Sequence, residues 1–367
     1  MRSLPLKTLT AAIEAKAPPA LQESYDNSGL QTGDPDMEIK GVLITFDFTE
    51  ACIQEALEKD CNLIIAHHPL TLSGFKRITG KSAAERILMQ AIRHNLALYT
   101  AHTNIDSVVG GVSSILADKL SLIKQRILEP RGNSLLKLVV FVPESHADKL
   151  RQALFEAGAG RIGAYDRCSF NLSGTGTFRG DADTRPFVGT PGQTHAEAEV
   201  RIETILPAFH QQQVVEALLS AHPYEEPAYD LYPLHNNWDQ AGFGVIGQLP
   251  KPQSTQSFLE HLKQVSGTGC VRHTRALKDQ VQTIAVCGGS GSFLLNKAIA
   301  QKADVYVSGD FKYHQFFDAE GEIVIADIGH YESERFVKEV FFELLTKKFP
   351  NFAVRLSEQS SNPIKYL

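Results

Sequence analysis

Residues 41–70 read GVLITFDFTEACIQEALEKDCNLIIAHHPL. An apolar run, an amphipathic stretch and a second apolar run succeed one another, and the second run ends on His67, His68 and Pro69. The pattern continues through SAAERILMQAIRHN (82–95), with helical spacing, into LALYTAHTNID (96–106), another apolar run ending in polar residues. Alternation of strands and helices predicts an α/β fold with a parallel or mixed sheet covered by helices. In such sheets ligands gather at the carboxyl ends of strands, which is where both histidine stretches stand. Adjacent residues of a regular strand point to opposite faces. If His67 and His68 serve one site, the backbone must bend after Ala66.

The texture changes beyond residue 128. LLKLVVFVP (135–143) reads as a strand, SHADKLRQALFEAG (145–158) as a helix, and RCSFNLSGTGTFRG (167–180) as a hairpin with glycine turns. A polar loop follows, then a strand in 198–207, a helix through 209–222 and a strand at 228–234. That order, strand–helix–strand–strand–helix–strand, is the ferredoxin-like arrangement. α/β alternation then resumes: strands in 283–291, 304–310 and 322–334, a helix at 292–303, an amphipathic helix at 334–349 and a last strand in 351–358. The expected organisation is an N-terminal lobe (1–128), a ferredoxin-like α+β insert (129–235) and a C-terminal lobe (236–367).

With 367 residues, 43% apolar and 21% charged, the composition is that of a soluble globular protein of two or three domains. A net charge of −6 without a basic run argues against a nucleic-acid coat or a polybasic membrane anchor. Five scattered cysteines without CxxC spacing read as reduced thiols. The N-terminus lacks the apolar core of a signal peptide, and no stretch reaches the roughly 18 apolar residues of a membrane span. A cytoplasmic location is expected.

Three stretches carry the chemistry: AHHPL (66–70), AHTNID (101–106) and DIGHYESE (327–334). His102 and Asp106 are four residues apart, as are His330 and Glu334, a spacing that puts both side chains on one face of a helical turn. Taken singly, each reads as a hydrogen-bonded strand-end residue. Together, at equivalent strand ends, they supply the imidazole and carboxylate ligands that divalent metals prefer. His314, in SGDFKYHQ, follows another strand end. GGSG (288–291) reads as a tight strand–helix turn, and no nucleophile elbow or P-loop is present.

DNSGLQTGD (26–34), AHHPL, AHTNID, SGDFKYHQ (308–315) and DIGHYESE resemble, in that order, the motifs of the GTP cyclohydrolase I type 2 / NIF-three-like family. The resemblance covers residues 1–128 and 236–367, and the middle unit is similar to the PII/CutA-like domain inserted in longer bacterial members. It implies two similar α/β lobes with a dinuclear centre between them, in a toroidal homohexamer. It also implies two divalent ions per subunit (Zn, Fe, Mn, Co or Ni) held by His67, His68, Asp106, His330 and Glu334, with the glutamate bridging. His102 and His314 are placed near the site as proton-shuttle candidates. The implied chemistry is metal-dependent hydrolysis of a nucleotide or phosphoester, of the kind that opens the guanine ring of GTP and releases formate. The alternative is a non-catalytic metal-binding hexamer whose insert senses a small molecule or closes the ring. Neither nucleic acid nor membrane is an expected partner.

Overall fold

A computed structural model describes residues 3–367 of the chain. It divides into two compact units, one made of residues up to Glu129 together with Gln240–Leu367, the other of Pro130–Asp239.

The first unit holds two mixed sheets. In one, the strands Ala353–Leu356, Gly41–Ile44, Leu63–Ala66 and Ala97–Thr100 run parallel in that order, with Gly29–Thr32 antiparallel at the edge. Every residue of the three central strands is buried, as expected for parallel strands covered on both faces. Alternate residues serve opposite cores. Ile44, Ile65 and Tyr99 pack with Leu6, Leu9 and Ile13 of the helix Leu6–Lys16, while Leu43, Ile64 and Leu98 pack against the helices Glu50–Glu58 and Ala83–Arg93. Thr49 and Ser82 start the latter two helices by accepting the backbone N–H of Cys52 and Glu85.

The second sheet has the order Arg272–His273, Val324–Asp327, Val305–Ser308, Gln280–Val286, Trp238–Ser254 and Ile123–Arg131. Its strands Gln280–Val286, Val305–Ser308 and Val324–Asp327 are parallel. The helix Thr255–Ser266 covers one face through Phe258 and Leu262. That helix, the helix Leu6–Lys16 and the long strand before Ser254 lie outside the elements expected from sequence.

The chain exchanges ends between these sheets. The helix Val337–Lys348 follows the second sheet in sequence but buries Val337, Phe341 and Leu345 beneath the first, and the strand after it pairs with Gly41–Ile44. Reciprocally, Leu116, Ala117 and Leu120, which follow the first sheet, sit in the core of the second. Two sheets tied in this way hold their strand ends in a fixed relation.

The unit Pro130–Asp239 has four antiparallel strands in the order Tyr229–Leu234, Leu135–Pro143, His195–Pro207, Ser169–Phe178. The helices Ala147–Glu156 and Gln211–Ala221 bury Leu150, Leu154, Val214 and Leu218 against Leu138, Val140 and Ile202. The hairpin expected over 167–180 is instead one continuous strand. Its glycines are strand positions: a Cβ at Gly176 would lie 2.1 Å from Oε2 of Glu199, so glycine there marks close approach and not a turn. Among the described residues, no helix is long and apolar enough to cross a membrane.

Candidate metal centre

The bend required after Ala66 is present. The N–H groups of His67 and His68 both donate to one carbonyl, that of Phe46, at 3.1 and 3.3 Å. Two successive amides turned to one acceptor cannot continue a strand, so the adjacent rings come to lie on the same side, 4.8 Å apart between centroids. The hydroxyl of Thr100 locks the turn by donating to the carbonyls of Ala66 and His67.

The other groups arrive from neighbouring strand ends. Ala97–Thr100 leads into the one-turn helix Thr103–Asp106, with His102 just before it and Asp106 at its end. Val324–Asp327 leads through Gly329, at φ +90°, into the helix His330–Glu334. Ligand atoms of His67, His68, His102, Asp106, His330 and Glu334 form three overlapping groups, each within 4.8 Å. His314 lies outside them, exposed on a short 3₁₀ segment with its ring beside those of Tyr313 and Phe317.

Glu334 is the hub. Its Oε2 lies 3.0 Å from Nε2 of His330, 3.3 Å from that of His68 and 3.6 Å from that of His67. Asp106 Oδ1 stands 3.6 Å from Nε2 of His67. Among the described residues, His67 Nε2, Asp106 Oδ1 and Glu334 Oε2 are all buried without a hydrogen-bond partner. A buried polar atom without a partner is costly and rare in folded proteins. Three converging on one point suit a cation that takes nitrogen and oxygen ligands.

Each imidazole is held by its far nitrogen, so that Nε2 faces the cluster. Nδ1 of His67 bonds the carbonyl of Ala101 at 3.0 Å, and Nδ1 of His68, His102 and His330 bonds Asp47, Asp26 and Asp310, each at 2.7 Å. Such partners set the tautomer and ring orientation of metal-binding histidines. Asp47 is fixed in turn by the hydroxyl of Ser361 at 2.5 Å, and Asp26 by the backbone N–H and hydroxyl of Thr103. Local sequence pattern points to no role for Asp26, Asp47 or Asp310, although each stands at a strand end or within one of the quoted motifs.

GGSG is a turn, and it is also a cradle. A Cβ at Gly289, whose φ is +64°, would fall 2.2 Å from Oε1 of Glu334, and one at Gly288 would meet the Glu334 side chain at 3.1 Å. The bare backbone is what admits the carboxylate.

The electrostatics follow from burial and pairing. Burial opposes charge on His68 and His330, but the carboxylates of Asp47 and Glu334 hold the first at about 9, and those of Asp310 and Glu334 hold the second at about 11. Burial likewise works against the charge of Glu334, yet the three surrounding imidazoles keep its carboxyl well below the usual range. Asp106 is pushed up to about 8 by burial and by the charge of Glu334. Burial, with the nearby carboxylates of Asp106 and Glu334, pushes the Cys287 thiol up to about 12.

Comparison with known proteins agrees with this architecture. The family model Duf34/NIF3 (NGG1p interacting factor 3) matches residues 4–363. A protein of Halalkalibacterium halodurans named "GTP cyclohydrolase 1 type 2 homolog" is 38% identical, over 98% of both chains. One of Bacillus subtilis with the same name is 37% identical, over 96% of both. Among solved structures, a Bacillus cereus protein related to NIF3 superposes with a TM-score of 0.86 at 37% identity, covering all of both chains. A Staphylococcus aureus protein does so with a TM-score of 0.79 at 27% identity, again over all of both. With the model match spanning nearly the whole sequence, this chain belongs to the Duf34/NIF3 family.

Proposed function

We propose that the protein is a hydrolase dependent on two divalent cations per subunit, acting on a nucleotide or phosphoester. The leading reaction is opening of the guanine ring of GTP with release of formate, which the name of the relatives suggests. The observation that carries the metal reading is Glu334 Oε2, buried, unpartnered and within 3.6 Å of three imidazole nitrogens. His67 with Asp106 would hold one ion and His68 with His330 the other, with Glu334 shared. This nitrogen and oxygen set admits Zn, Fe, Mn, Co or Ni.

Ions held there would supply Lewis acidity and bring the pKa of water toward neutrality. The protein's own contribution is orientation. Asp47 and Asp310 turn Nε2 of His68 and His330 inward, and Phe46, itself edge-on to Tyr331, packs edge-on against the ring of His68. His102, held at Nδ1 by Asp26, is left with Nε2 free to pass a proton between water and the leaving nitrogen or oxygen. In the GTP reaction one water adds at C8 and a second releases that carbon as formate.

The test is formate release from GTP by protein loaded with Mn, Fe or Zn, run beside a panel of other nucleotides and phosphoesters. No turnover of any member by protein shown to carry metal would overturn the hydrolase reading. It would leave the second one: a metal-binding homohexamer whose PII/CutA-like unit senses a small molecule. That alternative is favoured by a cavity of about 590 Å³ in the unit Pro130–Asp239.

A further inference from the structure

The cavity lies on the face of the four-stranded sheet opposite its two helices. Val200 and Ile202 turn toward the helices, so Glu199 turns the other way, with Gly174 directly across from it in the neighbouring strand. Nothing stands within 4 Å of a Cβ placed at Gly174, and Gly176 leaves just enough room for Oε2 of Glu199. The sequence SGTG (173–176) thus opens a trough with a carboxylate in its floor. Glu199 is only 8% exposed. Its Oε1 accepts the Tyr224 hydroxyl at 2.8 Å, one neutral donor for a buried carboxylate that can accept several.

The walls are aromatic. The ring of Tyr224 lies 5.7 Å from that of Phe178 and 6.3 Å from that of Phe187, and Phe141 also lines the cavity. The charges at the mouth are Glu225, Glu226, Arg179 and Arg201. Arg201 is spent on Glu203, its Nη2 at 2.8 Å from Oε1. Counting Glu199, the cavity has three carboxylates against one arginine that has no acidic partner among the described residues. Its volume lies in the range of small-molecule sites.

We propose that this cavity binds a small planar organic cation, such as an amidinium, a guanidinium or a protonated amino-heterocycle, with its N–H edge on Glu199 and its ring between Phe178, Tyr224 and Phe187. A carboxylate takes two parallel N–H donors from such an edge, and aromatic faces attract flat cations. The site is separate from the metal cluster and does not depend on the hydrolase reading.

Benzamidine and benzoate, of one shape and opposite charge, are the probes. Calorimetric titration of the full chain is expected to show saturable binding of benzamidine and none of benzoate. Hydrogen exchange should place the protection on residues 172–178 and 224–228. Glu199→Gln removes the charge, and Gly176→Ala drives Oε2 from its place without altering any charge. Each should weaken benzamidine by about tenfold or more. Phe187→Ala, in the surface loop, is expected to weaken binding with the melting temperature kept, which separates loss of the site from loss of the fold. The proposal is overturned if benzamidine fails to saturate at millimolar concentration, or if benzoate binds equally. It is also overturned if protection falls elsewhere, or if folded variants bind as tightly as the parent.

Discussion

Nε2 of His67 and Oδ1 of Asp106 face each other at 3.6 Å, both buried and neither in a hydrogen bond. The gap is too long for a hydrogen bond. Glu334 Oε2 stands the same distance from that nitrogen, on its own helix. Ligand atoms brought this close and left unpaired leave a place for a shared partner.

The aspartates behind the rings should matter almost as much as the ligands. Asp47→Ala and Asp310→Ala free Nδ1 of His68 and His330 and let each ring turn or change tautomer. Metal affinity is expected to fall about 10–100-fold in each. Competition against a chromophoric chelator measures it, with circular dichroism unchanged. Parent affinity in both variants would show that the rings are held by packing alone.

Gly289→Ala changes no ligand, yet it places a Cβ 2.2 Å from Glu334 Oε1 at a backbone φ of +64°. The left-handed conformation alone costs a non-glycine residue about 1–2 kcal/mol. The variant should fold with a lowered melting temperature and lose bound metal, because Glu334 is displaced. Full metal content by elemental analysis would mean that the cradle is incidental.

The exchange of chain ends carries its own test. Glu55, on the helix Glu50–Glu58, accepts the hydroxyl of Ser357 at 2.5 Å and the N–H of Glu358 at 2.9 Å, just past the last strand. Burial raises its pKa, but the bonds from Lys59, Ser357 and Glu358 outweigh burial and hold the carboxyl below its usual value. A lowered folded pKa means stability that is present above the unfolded value of about 4.3 and lost as pH falls through the folded one. Glu55→Gln should therefore be less stable than the parent at pH 7, by about 1–2 kcal/mol, and the difference should close in acid. A difference that persists or widens in acid would contradict this.

Much of the site can be read from local pattern because apolar runs stop where the functional residues begin. His67, His68 and His330 sit within three residues of a buried strand end, and Asp106 and Glu334 follow one helical turn later. Their supports are not readable in that way. Asp47 reaches His68 across 21 residues, Asp310 reaches His330 across 20, and Asp26 reaches His102 across 76. Hydrogen bonds between separate elements leave no periodicity. The strand Trp238–Ser254 escapes for another reason: glycines and two prolines break its alternation, and its pairing slips between Gln248 and Gln253. Nor does an amphipathic helix reveal which sheet it will cover, so the return of Val337–Lys348 beneath the first sheet emerges only in three dimensions.

The central claim is that Glu334 is shared between two ions. Elemental analysis of the parent and of Glu334→Gln, both equilibrated with Zn or Mn and freed of excess metal, tests it most directly. Two divalent ions per chain are expected in the parent, and the loss of at least one in the variant, with secondary structure retained. A metal-free parent, or a variant that keeps both ions, would contradict the account.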